Sequence, residues 1–260
     1  MGARNIMRTS LALLSVFALG TVGLLCKWTV KTRSITTGVV TPHVPSNRKV
    51  RAEWIEDFDQ KVFIFPTVFW EPLDTTSLRK LIRETALVRQ KRVLEIGTGS
   101  GLISLCCAQA GASWIVSTDV NTNAVECARV NAQHLGFESI MDVRLVDMAN
   151  AKAFAVVGAE ERFDVIISNP PWEEGDPKSI DQYALYDPNF ELMKSLLRNA
   201  PAYLMDDGQL YLAYGCKTAI QLLETLAVEL GYEVEVLDDR KLEDLEEVFL
   251  PGMLLKLTHS

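Results

Sequence analysis

Asn169-Pro170-Pro171-Trp172 is the stretch of this 260-residue chain with the most chemistry in it. Two consecutive prolines fix the backbone, so an amide side chain and a peptide carbonyl project from a rigid base. The Asn169 side-chain oxygen and the Pro170 carbonyl are both acceptors, matching the two N–H bonds of a planar amide or an exocyclic amine. The lone pair of such a nitrogen is delocalised and weakly nucleophilic. Gripping both N–H bonds orients it and stabilises the positive charge that develops as it attacks an electrophilic carbon. Pro171 keeps the turn stiff, and an aromatic face at Trp172 suits a flat group. No histidine or cysteine is required. The five cysteines contain no Cys-x-x-Cys pair and the three histidines are scattered, so the spacing of a zinc site is absent and the thiols read as buried and reduced.

A second stretch, Glu95-Ile96-Gly97-Thr98-Gly99-Ser100-Gly101, follows an apolar run. Glycines at 97, 99 and 101 let a ligand approach the backbone closely, at the start of a helix whose field favours electron-rich groups. The dinucleotide fingerprint fails because Leu102 occupies its last glycine position, and the phosphate loop fails because no Lys-Ser or Lys-Thr follows. Asp119, followed by Val120, closes the next apolar run 18 residues after Gly101, where a carboxylate can accept both hydroxyls of a ribose. Asp147, followed by Met148, closes the one after that.

Elements able to hold these residues are legible around them. From Lys91 onward, strand-length apolar runs alternate with longer stretches of helical period, the pattern of a parallel sheet covered on both faces. The seven predicted strands are 92–96, 114–118, 143–146, 163–168, 209–213, 232–237 and 253–257. Predicted helices span 102–110, 123–135, 189–204 and 217–230, and one at 75–88 precedes the first strand, with Asp74, Thr75 or Thr76 as its N-cap. The connection through Pro251-Gly252 is too short for a crossover helix, so the last strand runs antiparallel. The tetrad thus falls at the carboxyl end of the sheet, where open α/β folds bind ligands.

With the glycine loop and Asp119 in register, residues 62–258 resemble the class I S-adenosylmethionine-dependent methyltransferases. The resemblance implies a Rossmann-like α/β fold, a seven-stranded sheet with an antiparallel last strand and helices on both faces. By it, S-adenosylmethionine is the cofactor: Glu95, Gly97, Thr98, Gly99 and Gly101 line its methionine and sulfonium, Asp119 and Val120 hold its ribose, and Asp147 with Met148 flanks the adenine. Asn169-Pro170-Pro171-Trp172 resembles the N-P-P-aromatic motif of amino-group methyltransferases: HemK-type protein glutamine enzymes, adenine amino-group enzymes and small-domain ribosomal RNA guanine enzymes. Trp172 departs from the Tyr or Phe usual there. Phe69-Trp70-Glu71-Pro72-Leu73-Asp74-Thr75 is similar to the short segment that closes over cofactor and substrate in the HemK-type and small-domain enzymes, which makes Thr75 a further cofactor contact.

Charge divides the chain. Residues 1–52 hold eight Lys or Arg and no acid, which leaves 18 bases against 34 acids in the other 208 residues, a net charge of −16. The loop from Trp172 to Pro188 has five acids and one base. That surface repels phosphates, so a protein acceptor is favoured over a nucleic acid. Tyr183 and Tyr186 in this loop suit either a pocket wall or helix packing.

Between Arg8 and Lys27 lie 18 uncharged, mostly apolar residues, 9–26. As a helix they span roughly 27 Å, near the thickness of a bilayer core. The chain therefore divides into an N-terminal hydrophobic helix acting as a membrane anchor or signal-like segment at 1–30, a linker at 31–50 and a methyltransferase domain at 51–260. The excess of basic residues after the apolar run places the catalytic domain on the cytoplasmic side. HemK-type release-factor enzymes carry a helical recognition domain ahead of the catalytic fold, and here that space reads as anchor and tether. A rival of another class is a membrane-tethered binding protein that retains the cofactor fold without turnover, which would have no use for paired acceptors at Asn169 and Pro170.

Overall fold

The computed structural model describes residues 49–259, so the apolar run at 9–26 and the tether lie outside the described residues. Among those described, no helix is long and apolar enough to cross a membrane.

A β-hairpin comes first, β1 (Arg51–Ile55) and β2 (Gln60–Ile64), followed by α1 (Thr76–Glu84). The seven-stranded sheet is then assembled from β3 (Arg92–Ile96), β4 (Trp114–Asp119), β5 (Met141–Leu145), β6 (Phe163–Ser168), β7 (Leu204–Cys216), β8 (Tyr232–Val236) and β9 (Val248–His259). The helices α2 (Leu102–Gln109), α3 (Thr122–Leu135), α4 (Glu191–Asn199) and α5 (Lys217–Glu229) lie between strands in the chain. The spatial order is β5-β4-β3-β6-β7-β9-β8, and β9 runs antiparallel to both its neighbours.

Central strands are buried on both faces, as covered parallel sheets require. Val93, Ile115, Val143 and Val165 join α1, α2 and α3 in one core, whereas Leu94, Val116 and Ile166 face the opposite way into a second core with α4 and α5. This split explains the continuous apolar runs. It also creates a switch point, because the chain leaves β3 toward β4 on one side and β6 pairs on the other. A crevice opens at such a point, at the carboxyl ends of the strands. The glycine loop leaves β3 there, and the tetrad leaves β6.

Three expectations shift in detail. Helix α1 stops at Glu84 because Thr85 turns extended and its hydroxyl donates to the Leu81 carbonyl. Helix α4 starts only at Glu191, since Asn189 and Phe190 both adopt left-handed backbone with φ of 53°, and Pro201 sits in a 3-10 turn after Asn199. Strands β7 and β9 run well past their predicted cores, to 13 and 12 residues.

The hairpin was not legible in the sequence, yet it braces the crevice. Asn131 on α3 is fully buried and acts as a surrogate peptide group. Its Oδ1 accepts from the Phe63 amide at 2.7 Å, and its Nδ2 donates to the Phe63 carbonyl at 2.8 Å and to the Ser100 carbonyl in the glycine loop at 2.9 Å. At the hairpin turn, Asp57 pairs with Arg79 and Arg83. Arg79 in turn donates to the Pro72 carbonyl at 2.7 Å.

Candidate active site

A cavity of about 430 Å³ opens at the switch point, lined by 67–72, Asp74 and Thr75, the glycine loop, the end of β4, Asn169-Pro170-Pro171 and the loop before α4. It holds Glu95, Gly97, Thr98, Gly99, Asp119, Val120, Met148, Asn169, Pro170, Pro171 and Thr75 together. Three expected residues stay outside it: Gly101, Asp147 and Trp172.

Each outlier has a physical reason. Gly101 caps α2 with φ of 87°, and a Cβ there would lie 3.1 Å from the Ala128 backbone, so its bareness serves helix packing. Asp147 turns its carboxylate onto the Ala149 amide at 2.9 Å, capping the short turn that presents Met148. Trp172 is directed into the second core instead of the cavity. Its indole fills space left by Gly215 and Gly252, where a Cβ on either would press on the ring. It is not the flat platform for the acceptor.

In the glycine loop, the Gly97 and Thr98 amides both donate to the Thr118 carbonyl at 2.9 Å, and the Gly99 amide donates to Asp119 Oδ2 at 2.8 Å. These amides are spent on β4, so the glycines supply room instead of donors. The added-Cβ positions of Gly97 and Gly99 meet nothing within 4 Å. With φ of 78° and 56°, both sit in a region that side chains disfavour.

Glu95 is buried beneath the loop. Its Oε2 accepts from Thr98 Oγ1 at 2.6 Å and from the Ser104 hydroxyl, while its Oε1 has no partner. Burial raises its pKa to about 7 against the lowering effect of those hydroxyls. A buried carboxylate oxygen without a donor is costly unless a ligand completes it. An ammonium group does so, and S-adenosylmethionine carries one at its amino-acid end. Asp119, also raised by burial, keeps Oδ1 on the Asn121 amide and Oδ2 on the Gly99 amide, which leaves one acceptor direction on each oxygen for a diol. The residues fit the cofactor.

Asn169 is held at both ends of its amide. Nδ2 donates to Asp74 Oδ2 at 2.8 Å, and Oδ1 accepts from Trp172 Nε1 at 3.1 Å. The indole can only donate and an ionised carboxylate can only accept, so the orientation of the amide is unambiguous. Trp172 Nε1 is shared with the Ala213 carbonyl at 3.1 Å. No described donor bonds the Pro170 carbonyl. Asp74 is 4% exposed, and burial raises its pKa to about 6.

Asp74 was legible as a candidate helix cap and as part of the 69–75 segment, but not as the anchor of Asn169; the cap position falls to Thr75, which makes no side-chain cap bond. Also unread was the seating of the 67–75 segment. Asn121 and Asn123 donate to the Thr67 and Pro66 carbonyls at 2.9 Å each, holding Thr67 at φ of 65°, which β-branched residues rarely adopt.

The switch-point crevice and the glycine loop define an α/β protein with a site that fits S-adenosylmethionine, and the comparisons make it a methyl-transfer enzyme. Residues 61–238 match the family model described as methyltransferase small domain, and the chain belongs to that family. It is 30% identical over 186 residues to a Methanocaldococcus jannaschii protein provisionally named a protein N5-glutamine methyltransferase, covering 68% of this chain and 86% of that one. It is 31% identical to the release factor glutamine methyltransferase of Shewanella oneidensis, over 62% of this chain and 57% of that one. Thus the match spans little more than half of the release-factor enzyme. The fold is shared with the ribosomal protein L11 methylase of Lactobacillus delbrueckii subsp. bulgaricus, with a TM-score of 0.55 at 19% identity over 75% of this chain and 83% of that one. The chain is an S-adenosylmethionine-dependent methyltransferase.

Proposed function

We propose that the acceptor is the side-chain amide nitrogen of a glutamine in a protein. The observation that carries this is the doubly anchored Asn169, whose Oδ1 keeps one lone pair, followed in the chain by a Pro170 carbonyl that no described donor bonds, with both residues lining the cavity. Two fixed acceptors grip the two N–H bonds of a planar amide, orient its lone pair and stabilise the charge that develops on nitrogen. When bound, S-adenosylmethionine supplies an electrophilic sulfonium methyl, and transfer leaves a neutral thioether and one proton from the acceptor nitrogen. Glu95 and Asp119 hold the cofactor's ammonium and ribose, with Thr75, Thr98, Val120 and Met148 around it. Two relatives that match are named for glutamine methylation, and the net charge of −16 over residues 53–260 disfavours a polynucleotide.

A second reading is the exocyclic amine of a nucleobase, which presents the same pair of N–H bonds. Labelled methyl donor incubated with the protein and with separated protein and nucleic-acid fractions of a cell extract decides between them. Label in the protein fraction, released as methylglutamine after enzymatic digestion, is the expected result. Label in polynucleotide, with binding that falls steeply with salt, selects the nucleobase instead. Asn169→Ala should lower kcat by about 10²–10³ and leave cofactor affinity intact, a result a binding protein without turnover cannot give. Residues 9–26 are read as a membrane tether followed by a linker up to residue 50, with the catalytic domain on the cytoplasmic side. The uncharged run and the basic residues after it support that reading.

A further inference from the structure

With Trp172 turned into the core, the cavity lacks the flat surface that the fourth tetrad position was expected to supply. We propose that Tyr186 takes that place as the aromatic wall of the acceptor subsite, seated against Gly175. The inference rests on the methyl-transfer reading above and adds a specificity-determining residue to it.

Four observations converge on this ring. Tyr186 lines the same cavity as Asn169, Pro170 and Pro171. It is half-buried, and it packs against neither hydrophobic core, whereas Trp172 packs against the second. A core role for Tyr186 is thereby removed. The ring lies over the backbone of Gly175, where a Cβ would stand 2.8 Å from Cδ1 and 3.2 Å from Cγ. Gly175 has no left-handed φ, so glycine is required there for space alone. Finally, the Tyr186 backbone is pinned: its amide donates to the Gln182 carbonyl at 3.0 Å, it bridges Glu173, and the next amide, Asp187, donates to the Glu173 carbonyl at 2.8 Å. Asp187 then caps α4 through the Leu192 and Met193 amides at 2.9 and 3.0 Å. The loop therefore closes on itself one residue after the tetrad and is anchored to a helix at its other end.

A ring fixed in this way stacks on a planar amide or base while Asn169 and Pro170 hold its N–H bonds. A tetrahedral amine has no flat face to stack on it, and as an ammonium it gains only a few-fold from such a ring. The wall thus selects flat acceptors by shape, and the tetrad selects them by hydrogen bonding.

The test uses the full chain saturated with S-adenosylhomocysteine. Its probes are N-acetyl-glycyl-glutamine amide, adenosine and N-acetyl-lysine amide, followed by saturation-transfer NMR. Tyr186→Leu keeps bulk without planarity and should weaken the best planar probe at least tenfold, while Tyr186→Phe stays within threefold of the parent. Gly175→Ala should behave like Tyr186→Leu, since the added methyl displaces the ring while residue 186 remains a tyrosine. S-adenosylhomocysteine affinity should change less than twofold in all three. Equal binding of the planar probe by parent and Tyr186→Leu overturns the wall, as does an equal loss for the lysine probe, which would mark a general loss of packing. If adenosine binds and the glutamine probe does not, the glutamine reading fails and the wall is judged on adenosine. If the parent binds no probe, the wall is rejected with its subsite. Should Tyr186→Leu fail to fold, Gly175→Ala set against Tyr186→Phe makes the same distinction: a tenfold loss in the first alone supports the wall, and no loss in either overturns it.

Discussion

Asn169 has no rotational choice. An acceptor-only carboxylate takes one end of its amide and a donor-only indole the other, so the oxygen is fixed before any substrate arrives. Trp172→Phe retains an aromatic ring but leaves Asn169 Oδ1 and the Ala213 carbonyl without their donor. We expect kcat to fall about tenfold, equivalent to about 1.4 kcal/mol, with cofactor affinity unchanged; steady-state kinetics with undiminished kcat would show that Asn169 is held without the indole. Glu95 yields a pH prediction. Its folded pKa lies near 7, above the usual carboxylate value, so the fold binds an extra proton between about pH 4.5 and 7 and loses stability as pH rises across that window. Glu95→Gln should flatten that slope in thermal melts. A bound ammonium favours the ionised form, so cofactor binding near pH 6.5 should release a proton. Calorimetry in two buffers of different ionisation enthalpy detects this, and Glu95→Gln should abolish it. At this scale the sequence revealed which groups exist and how they are spaced. It did not show which way Trp172 points, because the space its ring occupies is made by Gly215 and Gly252, 43 and 80 positions away.

The elements were legible where burial leaves a one-dimensional trace. Strands β3, β4 and β6 face a core on both sides and read as continuous apolar runs, so their positions survived almost unchanged. The β1–β2 hairpin left no such trace. Its residues include Glu53, Glu56, Asp57, Asp59 and Lys61, and its attachment depends on Asn131, which is 68 positions from Phe63. Polar anchors of this kind carry no periodicity. Asn131→Ala removes three buried hydrogen bonds and leaves the Phe63 amide and the Ser100 carbonyl unpaired, at a cost of about 2–4 kcal/mol. Hydrogen exchange should then show lost protection at Phe63 and faster exchange in the glycine loop, with cofactor affinity reduced. A loss confined to the hairpin would mean that the loop does not depend on it.

At the scale of the molecule, residues 53–260 form an acidic body with an acidic mouth. Six carboxylate residues line the cavity against a single lysine, Lys152, so the local field has the same sign as the net charge of the domain. Such a field raises the local concentration of cationic partners and repels polyanions. Polylysine should therefore inhibit transfer at low ionic strength and lose its effect by about 0.5 M salt, where the screening length falls below about 5 Å. Heparin should leave transfer unchanged at every salt concentration, and inhibition by heparin would place a basic docking face on this protein. This level was the most legible of the three, because charge sums without regard to geometry.

The nesting of Trp172 between Gly215 on β7 and Gly252 on β9 also constrains how this sequence can drift. An exchange at any one of the three disturbs the others: a methyl group on Gly215 would overlap the indole, one on Gly252 at 3.1 Å would force it to shift by a few tenths of an ångström, and a smaller ring leaves a hollow between two paired strands. Descendants that acquire alanine at 215 or 252 should be the same ones that have exchanged tryptophan for a smaller aromatic, so that three scattered positions are inherited as one.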